Sequence, residues 1–462
     1  MPHVDLLLIG TGSGNSILSE DFSDRSVALV ERGTFGGTCL NVGCIPTKMF
    51  VHTADVAATP GVSSRLGVDE TLDQVRWLDI RDRIFGRIDP IASGGREYRT
   101  VHQDNSHVQV HEGTATFTGE RRVQVTPNDG GPPVELTADQ IVVAAGGRPF
   151  VPAIDGLEDV DFHTSDTVMR LDRLPEHMTI LGGGFIAAEL AHVFSSLGVA
   201  VTVINRSGAL LRQEDDEVSA RFTELAAQRW DVRLDTRVRS VSQQGGTIRL
   251  ELDGPEGSTT LETGELLVAV GRVPNTDLLD APAGGLGMNP AGLLVVDEYQ
   301  RTTVEGVWAL GDICSPWELK HVANHEARVV QHNLLHPDHL RASDHRYVPH
   351  AVFSSPQIAA VGLTEKQARA QGTEISVAQQ AYADIAYGWA MEDTTGFAKL
   401  IAEKGTGRLI GAHIIGPQAS TLIQPLIQAM SFEQDVREVA RGQYWIHPAM
   451  PELVENALLQ LE

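Results

Sequence analysis

Two cysteines five positions apart are the residues of this sequence most clearly able to do chemistry. Cys39 and Cys44 lie in the segment Gly36–Lys48, which reads GGTCLNVGCIPTK, and the chain has only 3 cysteines. Two thiols this close in a large acidic chain indicate a redox-active pair more than a disulfide that only stabilises the fold. On a regular helix their Cα atoms would lie about 8–9 Å apart, whereas a disulfide needs less than roughly 7 Å. A bond between them therefore requires a distorted segment, which Gly43 and Pro46 permit.

Two other interpretations of this cysteine pair are possible. Half of a zinc site would need a second ligand pair, and the sequence has no second cysteine pair. The pair could also be inert buried thiols. We favour a redox-active disulfide and predict no metal ion. The third cysteine, Cys314, is predicted to be a small packed residue because no partner thiol remains.

The elements that must position the thiols begin with a strand, a glycine turn, a helix and a second strand. The turn after the strand Val4–Ile9 carries three glycines, Gly10, Gly12 and Gly14. Such glycines let the backbone approach a pyrophosphate at a helix N-terminus. Glu31 ends the second strand, 21 residues after Gly10, where a carboxylate would bind a ribose hydroxyl. Asn15 replaces the usual third Gly or Ala, which predicts looser helix packing, but the whole pattern predicts dinucleotide binding.

A second copy of this pattern follows the strand Met178–Leu181. Its fingerprint is complete, with Gly182, Gly184 and Ala187. The next strand, Val199–Ile204, ends in Asn205 and Arg206, with Arg212 further on, and no acid stands at the ribose position. Arginine suits a 2′-phosphate, which a carboxylate would repel, so we predict NADPH over NADH. The alternative is that both arginines are solvated surface charges.

Two nucleotide-binding units and a thiol pair directly after the first one predict an electron route. A hydride transfers two electrons at once, so a flavin is expected to accept them from the nicotinamide and pass them to the disulfide. The segment Val304–Cys314 is predicted to be a strand that ends in Gly311-Asp312, where the carboxylate of Asp312 could bind the hydroxyl groups of ribitol. These observations predict FAD and NADPH as cofactors.

A candidate acid–base group stands near the end of the sequence. His447 is followed by Pro448, and Glu452 is positioned to orient its imidazole. A histidine before a proline is more often structural, but a thiol pair needs a proton partner, which favours the catalytic interpretation. Residues 321–350 hold seven histidines, including the i,i+4 pairs His321/His325 and His332/His336. Without a completing ligand set, we interpret these as surface or interface residues.

Composition limits the remaining function classes. The chain has 462 residues, so roughly two to four domains are expected. Its formal net charge of −25 argues against nucleic acid or an anionic membrane as a partner. It lacks a run of about 18 apolar residues and a basic region typical of an export signal. We expect a cytoplasmic protein that makes no use of a membrane.

Five motifs together resemble the class I flavin disulfide reductases, the family of glutathione reductase and lipoamide dehydrogenase. The motifs are Gly36–Lys48 (GGTCLNVGCIPTK), Gly182–Glu189 (GGGFIAAE), Val268–Asn275 (VAVGRVPN), Ala309–Asp312 (ALGD) and His447–Glu452 (HPAMPE). The similarity covers essentially the whole chain. The segments GTGSGNSIL, CIPTKMF and YWIHPAMPELVENALL are most similar to the branch that reduces mycothione, the disulfide of mycothiol.

The resemblance implies an α/β fold with two Rossmann-like nucleotide-binding domains and a C-terminal α+β dimerisation domain. The implied boundaries are 1–150 and 276–345 for the two parts of the FAD domain, 151–275 for the NADPH domain, and 346–462 for the dimerisation domain. It also implies a homodimer with shared active sites that acts on a small-molecule disulfide.

The resemblance also implies residue roles. Cys44 would be the charge-transfer thiolate facing the flavin, and Cys39 the thiol that attacks the substrate. His447, held by Glu452, would activate Cys39 and protonate the leaving thiol. Lys48 and Glu189 would pair beside the flavin, and Phe185 would cover the nicotinamide site. The remaining cofactor-binding positions would be Ala115 at the adenine, Asp312 at the ribitol, and Thr38, Gly146, Gly271 and Arg272.

Two rival functions stay open at this point. One is an NAD-linked dihydrolipoamide dehydrogenase, although Asn205-Arg206 replaces the acid expected of an NAD-using enzyme. The other is a non-catalytic, redox-sensing flavoprotein. The presence of Cys39, Cys44 and His447 argues against the second rival.

Overall fold

Strands and helices alternate along most of the chain in a computed structural model, which describes residues 2–461. The strands, in chain order, are β1 (His3–Ile9), β2 (Val27–Glu31), β3 (Val108–Gly119), β4 (Arg122–Pro127), β5 (Val134–Val143), β6 (Gly147–Pro149), β7 (His163–Thr164), β8 (His177–Leu181), β9 (Ala200–Ile204), β10 (Asp231–Arg233), β11 (Arg237–Gln244), β12 (Thr247–Gly254), β13 (Gly257–Thr263), β14 (Glu265–Val268), β15 (Arg272–Pro274), β16 (Val307–Ala309), β17 (His350–Val352), β18 (Ile358–Gly362), β19 (Ile375–Ala381), β20 (Phe397–Glu403) and β21 (Leu409–Ile415).

The α-helices vary from one turn to seven turns in length. In chain order they are α1 (Gly37–Asn41), α2 (Cys44–Ala58), α3 (Pro60–Ser63), α4 (Trp77–Val101), α5 (Phe185–Ser196), α6 (Asp216–Ala227), α7 (Lys320–Leu335), α8 (Glu365–Ala370), α9 (Ala386–Met391), α10 (Ala419–Leu422), α11 (Gln424–Ser431), α12 (Val436–Arg441) and α13 (Glu452–Leu459). Among the described residues, no helix is both long enough and apolar enough to cross a membrane.

The chain divides into two compact units, each built from three separate segments. The first unit comprises Met1–Thr47, Arg81–Phe150 and Arg272–His345. The second unit comprises Lys48–Ile80, Val151–Gly271 and Arg346–Glu462.

The first unit is organised around a mainly parallel sheet. β3, β2, β1, β5 and β16 run parallel in that order, and β4 pairs antiparallel with both β3 and β5. Leu6 and Leu8 of β1 belong to one hydrophobic cluster, while Leu7 and Ile9 belong to another. Because alternate side chains point to opposite faces, both faces of β1 are buried, as expected of a central parallel strand.

The second unit contains three sheets. A parallel sheet has the order β10-β9-β8-β14-β7, and an antiparallel sheet has the order β11-β12-β13. A five-stranded antiparallel sheet, β17-β18-β21-β20-β19, packs with the last helices around the buried Tyr382. The predicted α/β fold with a C-terminal α+β region is therefore present.

The helix predicted after the first glycine turn differs from the structure. Ser13–Ile17 and Glu20–Phe22 form only short 3₁₀ segments. The backbone carbonyls that would accept helical hydrogen bonds are taken by side chains: Arg99 donates to the carbonyls of Asn15 and Leu18, and Gln331 donates to that of Ile17. The poor helix propensity of Ser, Gly and Asn acts in the same direction.

Two further predicted elements are shorter than expected. Only Val307–Ala309 of the predicted strand Val304–Cys314 is extended, and a 3₁₀ turn, Gly311–Ile313, follows it. The helix predicted from Gln418 to Ser431 is split between α10 and α11, with a proline in the first turn of α11. Proline suits a helix start because its nitrogen has no hydrogen to donate.

Candidate functional site

The two cysteines flank a break between the helices α1 and α2. α1 ends at Asn41, Val42 and Gly43 are non-helical, and Cys44 begins α2. A Cβ atom on Gly43 would lie 2.9 Å from the Thr38 carbonyl oxygen. The segment between the thiols is therefore distorted as the sequence predicts, and only glycine fits its closest approach.

A buried amide that the sequence reasoning missed shapes this segment. The Asn41 Nδ2 atom lies 3.2, 2.8 and 3.0 Å from the carbonyl oxygens of Thr34, Phe35 and Gly37. Asn41 therefore stabilises the chain leading to the thiols, because it donates hydrogen bonds to two carbonyls that precede α1 and to one in the first turn of α1. The available signal was a lone polar residue between two cysteines.

The two thiols differ in their electrostatics. Cys39 is partly buried, and its pKa is raised by hydrogen bonding to Cys44, by burial and by the charge of Cys44. Cys44 is exposed and is the first residue of the 15-residue helix α2, whose N-terminal dipole favours an anion. The geometry thus favours a thiolate at Cys44 and a protonated thiol at Cys39.

The first glycine turn brings backbone segments too close together for side chains. Gly10 has φ +102°, and a Cβ atom there would lie 2.4 Å from the Ala144 carbonyl oxygen. A Cβ atom on Gly14 would lie 2.6 Å from Ala144 Cβ, and one on Gly37 would lie 2.7 Å from Gly12 Cα. These glycines form a bare backbone cradle of the kind that admits a pyrophosphate.

Glu31 stands at the end of β2, beside this cradle. One of its carboxylate oxygens accepts hydrogen bonds from Thr11 N at 2.8 Å and Thr11 Oγ1 at 2.7 Å. Its other oxygen accepts one from Gly33 N at 2.7 Å. The carboxylate is therefore fixed at the end of β2, where the sequence pattern predicts a contact with a ribose hydroxyl. Thr11, which is buried, was not identified from the sequence.

Asp312 lies in the 3₁₀ turn after β16. Burial raises the pKa of its carboxyl, while the charges of Arg272 and Lys320 oppose that shift. Arg272 itself donates from Nη2 to the Gly147 carbonyl oxygen at 2.7 Å. Lys320 also donates to Ser13 Oγ at 2.8 Å beside the glycine turn, a contact that the sequence reasoning missed.

The second glycine turn, in the second unit, repeats this construction. Gly182 has φ +130°, and a Cβ atom there would lie 2.2 Å from the Ala269 carbonyl oxygen. Gly184 has open space, and Ala187 is buried in α5. Phe185 is the first residue of α5 and is 44% exposed, so its ring is available to cover a ligand.

The loop after β9 carries the two predicted phosphate-binding arginines. The buried Asn205 donates from Nδ2 to the carbonyls of Ser207 at 3.0 Å and Ala209 at 2.8 Å. Arg206 is exposed, and Arg212 Nη1 donates to Ser207 Oγ at 2.9 Å. Asn205 therefore folds the loop, and two guanidinium groups remain at its surface.

Lys48 and Glu189 form an ion pair within the second unit. Lys48 Nζ lies 2.8 Å from both carboxylate oxygens of the buried Glu189. Phe353 N donates to Glu189 Oε1 at 2.9 Å, and Lys48 Nζ lies 4.1 Å from the Phe353 ring centroid. The sequence predicted the pair but not Phe353.

His447 and Glu452 form a base–orienter pair near the end of the chain. His447 Nδ1 lies 2.5 Å from Glu452 Oε1, and the imidazole is 70% exposed while the carboxylate is mostly buried. A carboxylate on Nδ1 fixes the tautomer and leaves Nε2 to exchange a proton. Glu452 is the first residue of α13, directly after the capping residue Pro451, so the helix fixes the position of the carboxylate.

The predicted site residues are divided between the two units. The first unit holds Gly10, Gly12, Gly14, Glu31, Thr38, Cys39, Cys44, Ala115, Gly146, Arg272 and Asp312. The second unit holds Lys48, Gly182, Gly184, Phe185, Ala187, Glu189, Arg206, Arg212, Gly271, His447 and Glu452. Ala115 is buried in β3, Thr38 lies in α1, and Gly146 and Gly271 take positive φ angles. Cys314 is buried in the core of the first unit, as predicted.

The glycines of both turns are compatible with a bound dinucleotide. Each turn exposes backbone at a place where a Cβ atom would collide with a neighbouring segment. Within residues 2–461, no group of three or more His, Cys, Asp or Glu side chains is arranged to hold a metal ion. This holds for the histidine-rich segment 321–350 and for the pair Cys39/Cys44.

Comparisons with known proteins agree with this geometry. Residues 4–327 match the family described as pyridine nucleotide-disulphide oxidoreductase, and residues 348–458 match its dimerisation domain. The chain is 55% identical to mycothione reductase of Mycobacterium tuberculosis over 465 aligned positions, which cover 100% of both chains. It is 36% identical to mercuric reductase of Streptomyces lividans, covering 95% of this chain and 92% of that one.

Solved structures give the same assignment. The HOCl-induced flavoprotein disulfide reductase RclA from Escherichia coli superposes with a TM-score of 0.86 at 26% identity, covering 100% of both chains. The chain therefore belongs to the pyridine nucleotide-disulphide oxidoreductase family and is a disulfide reductase that works with a flavin and a pyridine nucleotide.

Proposed function

We propose that this protein is an NADPH-dependent reductase of a low-molecular-weight disulfide, and that the disulfide is mycothione. The observation that carries the proposal is the thiol pair Cys39/Cys44 at the start of α2, in a chain 55% identical over its whole length to mycothione reductase. The exposed Arg206 and Arg212, with no acid at the end of β9, support NADPH over NADH.

Both cofactors have residues that would hold them. FAD would be held in the first unit by the Gly10–Gly14 turn, Glu31 and Asp312, with Ala115 at the adenine. NADPH would be held in the second unit by the turn starting at Gly182 and by Arg206 and Arg212. Bound flavin supplies the two-electron chemistry that connects a hydride donor to a disulfide.

The thiol chemistry follows from the two cysteines and the histidine. The reduced pair starts with Cys39 protonated, so a base is needed, and His447 Nε2 takes this proton. The Cys39 sulfur attacks one substrate sulfur, forms a mixed disulfide and releases one thiolate, which His447 protonates. The Cys44 thiolate then attacks the Cys39 sulfur, breaks the mixed disulfide, re-forms the Cys39–Cys44 disulfide and releases the second product as a thiolate, which takes a proton from water. One disulfide is reduced to two thiols while the cysteine pair is oxidised.

A panel of disulfides tests the substrate. Mycothione, glutathione disulfide and lipoamide would each be assayed with NADPH and with NADH. We expect turnover with mycothione and NADPH to exceed every other combination. Faster turnover of lipoamide with the NAD couple would instead identify a dihydrolipoamide dehydrogenase. Failure of every disulfide and dithiol to change the flavin spectrum would identify a redox-sensing protein.

Serine substitutions test the two thiol roles. Cys39→Ser leaves Cys44 as a thiolate, so long-wavelength absorbance should appear in the isolated protein without reductant. Cys44→Ser should not show it. The opposite pattern would exchange the two roles.

We also propose a homodimer in which Cys39 and Cys44 of one subunit work with His447 and Glu452 of the other. The dimerisation domain at residues 348–458 supports a homodimer, and two-fold symmetry makes two such hybrid sites. The proposed domain boundaries are 1–150 and 276–345 for FAD, 151–275 for NADPH and 346–462 for dimerisation. A cytoplasmic location is proposed because a thiol pair cycles most readily in a reducing compartment.

Mixed dimers test the shared site. Cys39→Ser and His447→Ala should each be almost inactive as homodimers. After co-expression, a heterodimer has one site with both defects and one with neither. Random mixing makes about half of the dimers hybrids, so activity should recover to roughly a quarter of wild type. Verified heterodimers as inactive as their parents would show that His447 serves the cysteines of its own chain.

A further inference from the structure

Phe353 contacts both members of the Lys48–Glu189 pair in two different ways. Its peptide N–H donates to Glu189 Oε1 at 2.9 Å, and its ring lies under the Lys48 ammonium at 4.1 Å from centroid to Nζ. The backbone of Phe353 thus contacts the negative member of the ion pair, and its side chain contacts the positive member.

The two partners need different kinds of support. Glu189 is buried, so its carboxylate oxygens need hydrogen-bond donors in place of water, and the Phe353 N–H adds one to those from Lys48. Lys48 has a side chain 33% exposed to solvent and four rotatable bonds, so an ion pair alone fixes it poorly. An aromatic face attracts an ammonium group and shields one side of it from water.

Phe353 is itself held firmly. It follows β17, whose residue Val352 pairs with Ile358 of β18. Beyond it, Ser354 Oγ donates to the Pro356 carbonyl oxygen at 2.7 Å, and Arg229 Nη1 donates to the Ser355 carbonyl oxygen at 2.6 Å. Backbone contacts on both sides therefore fix where the ring lies.

We propose that Phe353 is a positioning residue for the reductive half of the reaction, because its ring holds the Lys48 ammonium in a single place on α2. This inference rests on the proposed function and on the placement of the Lys48–Glu189 pair beside the flavin that the family resemblance implies. Phe353 acts through Lys48 and has no part in the thiol exchange.

Chemical labelling of Lys48 tests the contact without relying on activity. Reductive methylation of the purified flavin-containing protein would be followed by mass spectrometry, with the exposed Lys366 as the internal reference. Phe353→Leu and Phe353→Met keep apolar volume but remove the aromatic face. Each should raise the Lys48 labelling rate by roughly threefold to thirtyfold, the range of a lost cation–π contact. Phe353→Tyr keeps the face and should match wild type.

Flavin reduction by NADPH in a single turnover tests the consequence. Phe353→Leu should slow this step by a similar factor, while thiol exchange with the disulfide stays unchanged. In a Lys48→Met background the same change should add no further slowing, because the ring has no ammonium to hold. Phe432→Leu, at a phenylalanine 74% exposed, is the matched control and should leave both readouts unchanged.

The outcomes separate the inference from the proposed function. Unchanged Lys48 labelling in both Phe353→Leu and Phe353→Met would overturn the inference, as would equal slowing with and without Lys48. If labelling rises but Lys48→Met leaves flavin reduction unchanged, the ring contact stands and the proposed role of the Lys48–Glu189 pair fails.

Discussion

The two glycine turns of this chain share a backbone construction but lead into different structures. Gly10 and Gly182 both have positive φ angles. A Cβ atom on Gly10 would lie 2.4 Å from the Ala144 carbonyl oxygen, and one on Gly182 would lie 2.2 Å from the Ala269 carbonyl oxygen. Each carbonyl lies just beyond a neighbouring parallel strand. After Gly10 the chain forms short 3₁₀ segments, whereas after Gly184 it forms the 12-residue helix α5. Under the proposed function, the shared part would hold a pyrophosphate at each turn, and the parts that differ would determine which nucleotide is bound.

The ends of the second strands carry that difference. Glu31, after the first turn, is an acceptor held by Thr11. Asn205, after the second turn, is a donor whose amide goes to the carbonyls of Ser207 and Ala209. The same structural position therefore has opposite hydrogen-bonding polarity. An acid there recognises a ribose hydroxyl, whereas an amide that organises a loop with exposed arginines leaves room for a 2′-phosphate.

The largest effect is expected from adding a methyl group at the shared glycines. Gly182→Ala should weaken NADPH-driven flavin reduction by roughly a hundredfold or more, because the methyl group overlaps a backbone carbonyl at a strained φ. The flavin content per chain should remain normal. Gly10→Ala should do the reverse and lower the flavin content of the purified protein.

Gly86→Ala is the control for this pair, because a Cβ atom on Gly86 meets nothing within 4 Å and the residue lies in α4, outside both glycine turns. It should retain both flavin and NADPH-driven reduction. Loss of flavin in the Gly182→Ala protein would show that the two turns do not bind separate nucleotides.

The next largest effect should come from reversing a charge after the second turn. Arg206→Glu should raise the KM for NADPH by roughly tenfold to a hundredfold, the value of a charge-assisted phosphate contact. The KM for NADH should change little, because NADH lacks the 2′-phosphate. Steady-state kinetics with both nucleotides would measure this.

Arg237→Glu, at an exposed position in β11, makes the same change of net charge elsewhere and should leave both KM values unchanged. An equal loss for NADPH and NADH in the Arg206→Glu protein would exclude the 2′-phosphate role.

Much of this comparison could be predicted from the sequence, because glycine spacing and apolar strands are local signals. The turns at Gly10 and Gly182, the break between Cys39 and Cys44, and the helix after Phe185 were all predicted. The missing first helix was not, because the cause is Arg99, which lies more than eighty residues away in sequence and takes the carbonyls of Asn15 and Leu18.

The parts of the site that escaped prediction are those that support the named residues. Asn41, Thr11 and Phe353 act through hydrogen bonds or a ring contact to residues that the motifs already identify. Their types are common in cores and loops, so the sequence offers no pattern that distinguishes them. Phe353 contacts Glu189 across 164 positions of sequence, which only the folded chain reveals.

A smaller effect is expected from converting the amide after the second turn into an acid. Asn205→Asp removes both donors to the carbonyls of Ser207 and Ala209 and places a negative charge near the arginines. The KM for NADPH should rise by roughly fivefold to tenfold, the value of lost hydrogen bonds, and the preference for NADPH over NADH should fall. Asn205→Ser, which removes the amide without adding charge, separates the two causes. An unchanged nucleotide preference in Asn205→Asp would show that the arginines alone determine it.

The smallest effect should come from one buried hydroxyl in each unit. Thr11 Oγ1 donates to Glu31 at 2.7 Å and accepts from Gly36 N at 3.1 Å, whereas Thr179 Oγ1, buried in β8, has no hydrogen-bond partner among residues 2–461. Thr11→Val leaves a carboxylate and an N–H group each short of a partner, so the free energy of unfolding should fall by about 1–3 kcal/mol and flavin should dissociate more readily. Thr179→Val replaces an unpaired hydroxyl by a methyl group of similar size, so stability should stay the same or rise. Chemical denaturation of both variants, with flavin fluorescence as a second probe, measures this difference, and equal destabilisation by the two changes would contradict it.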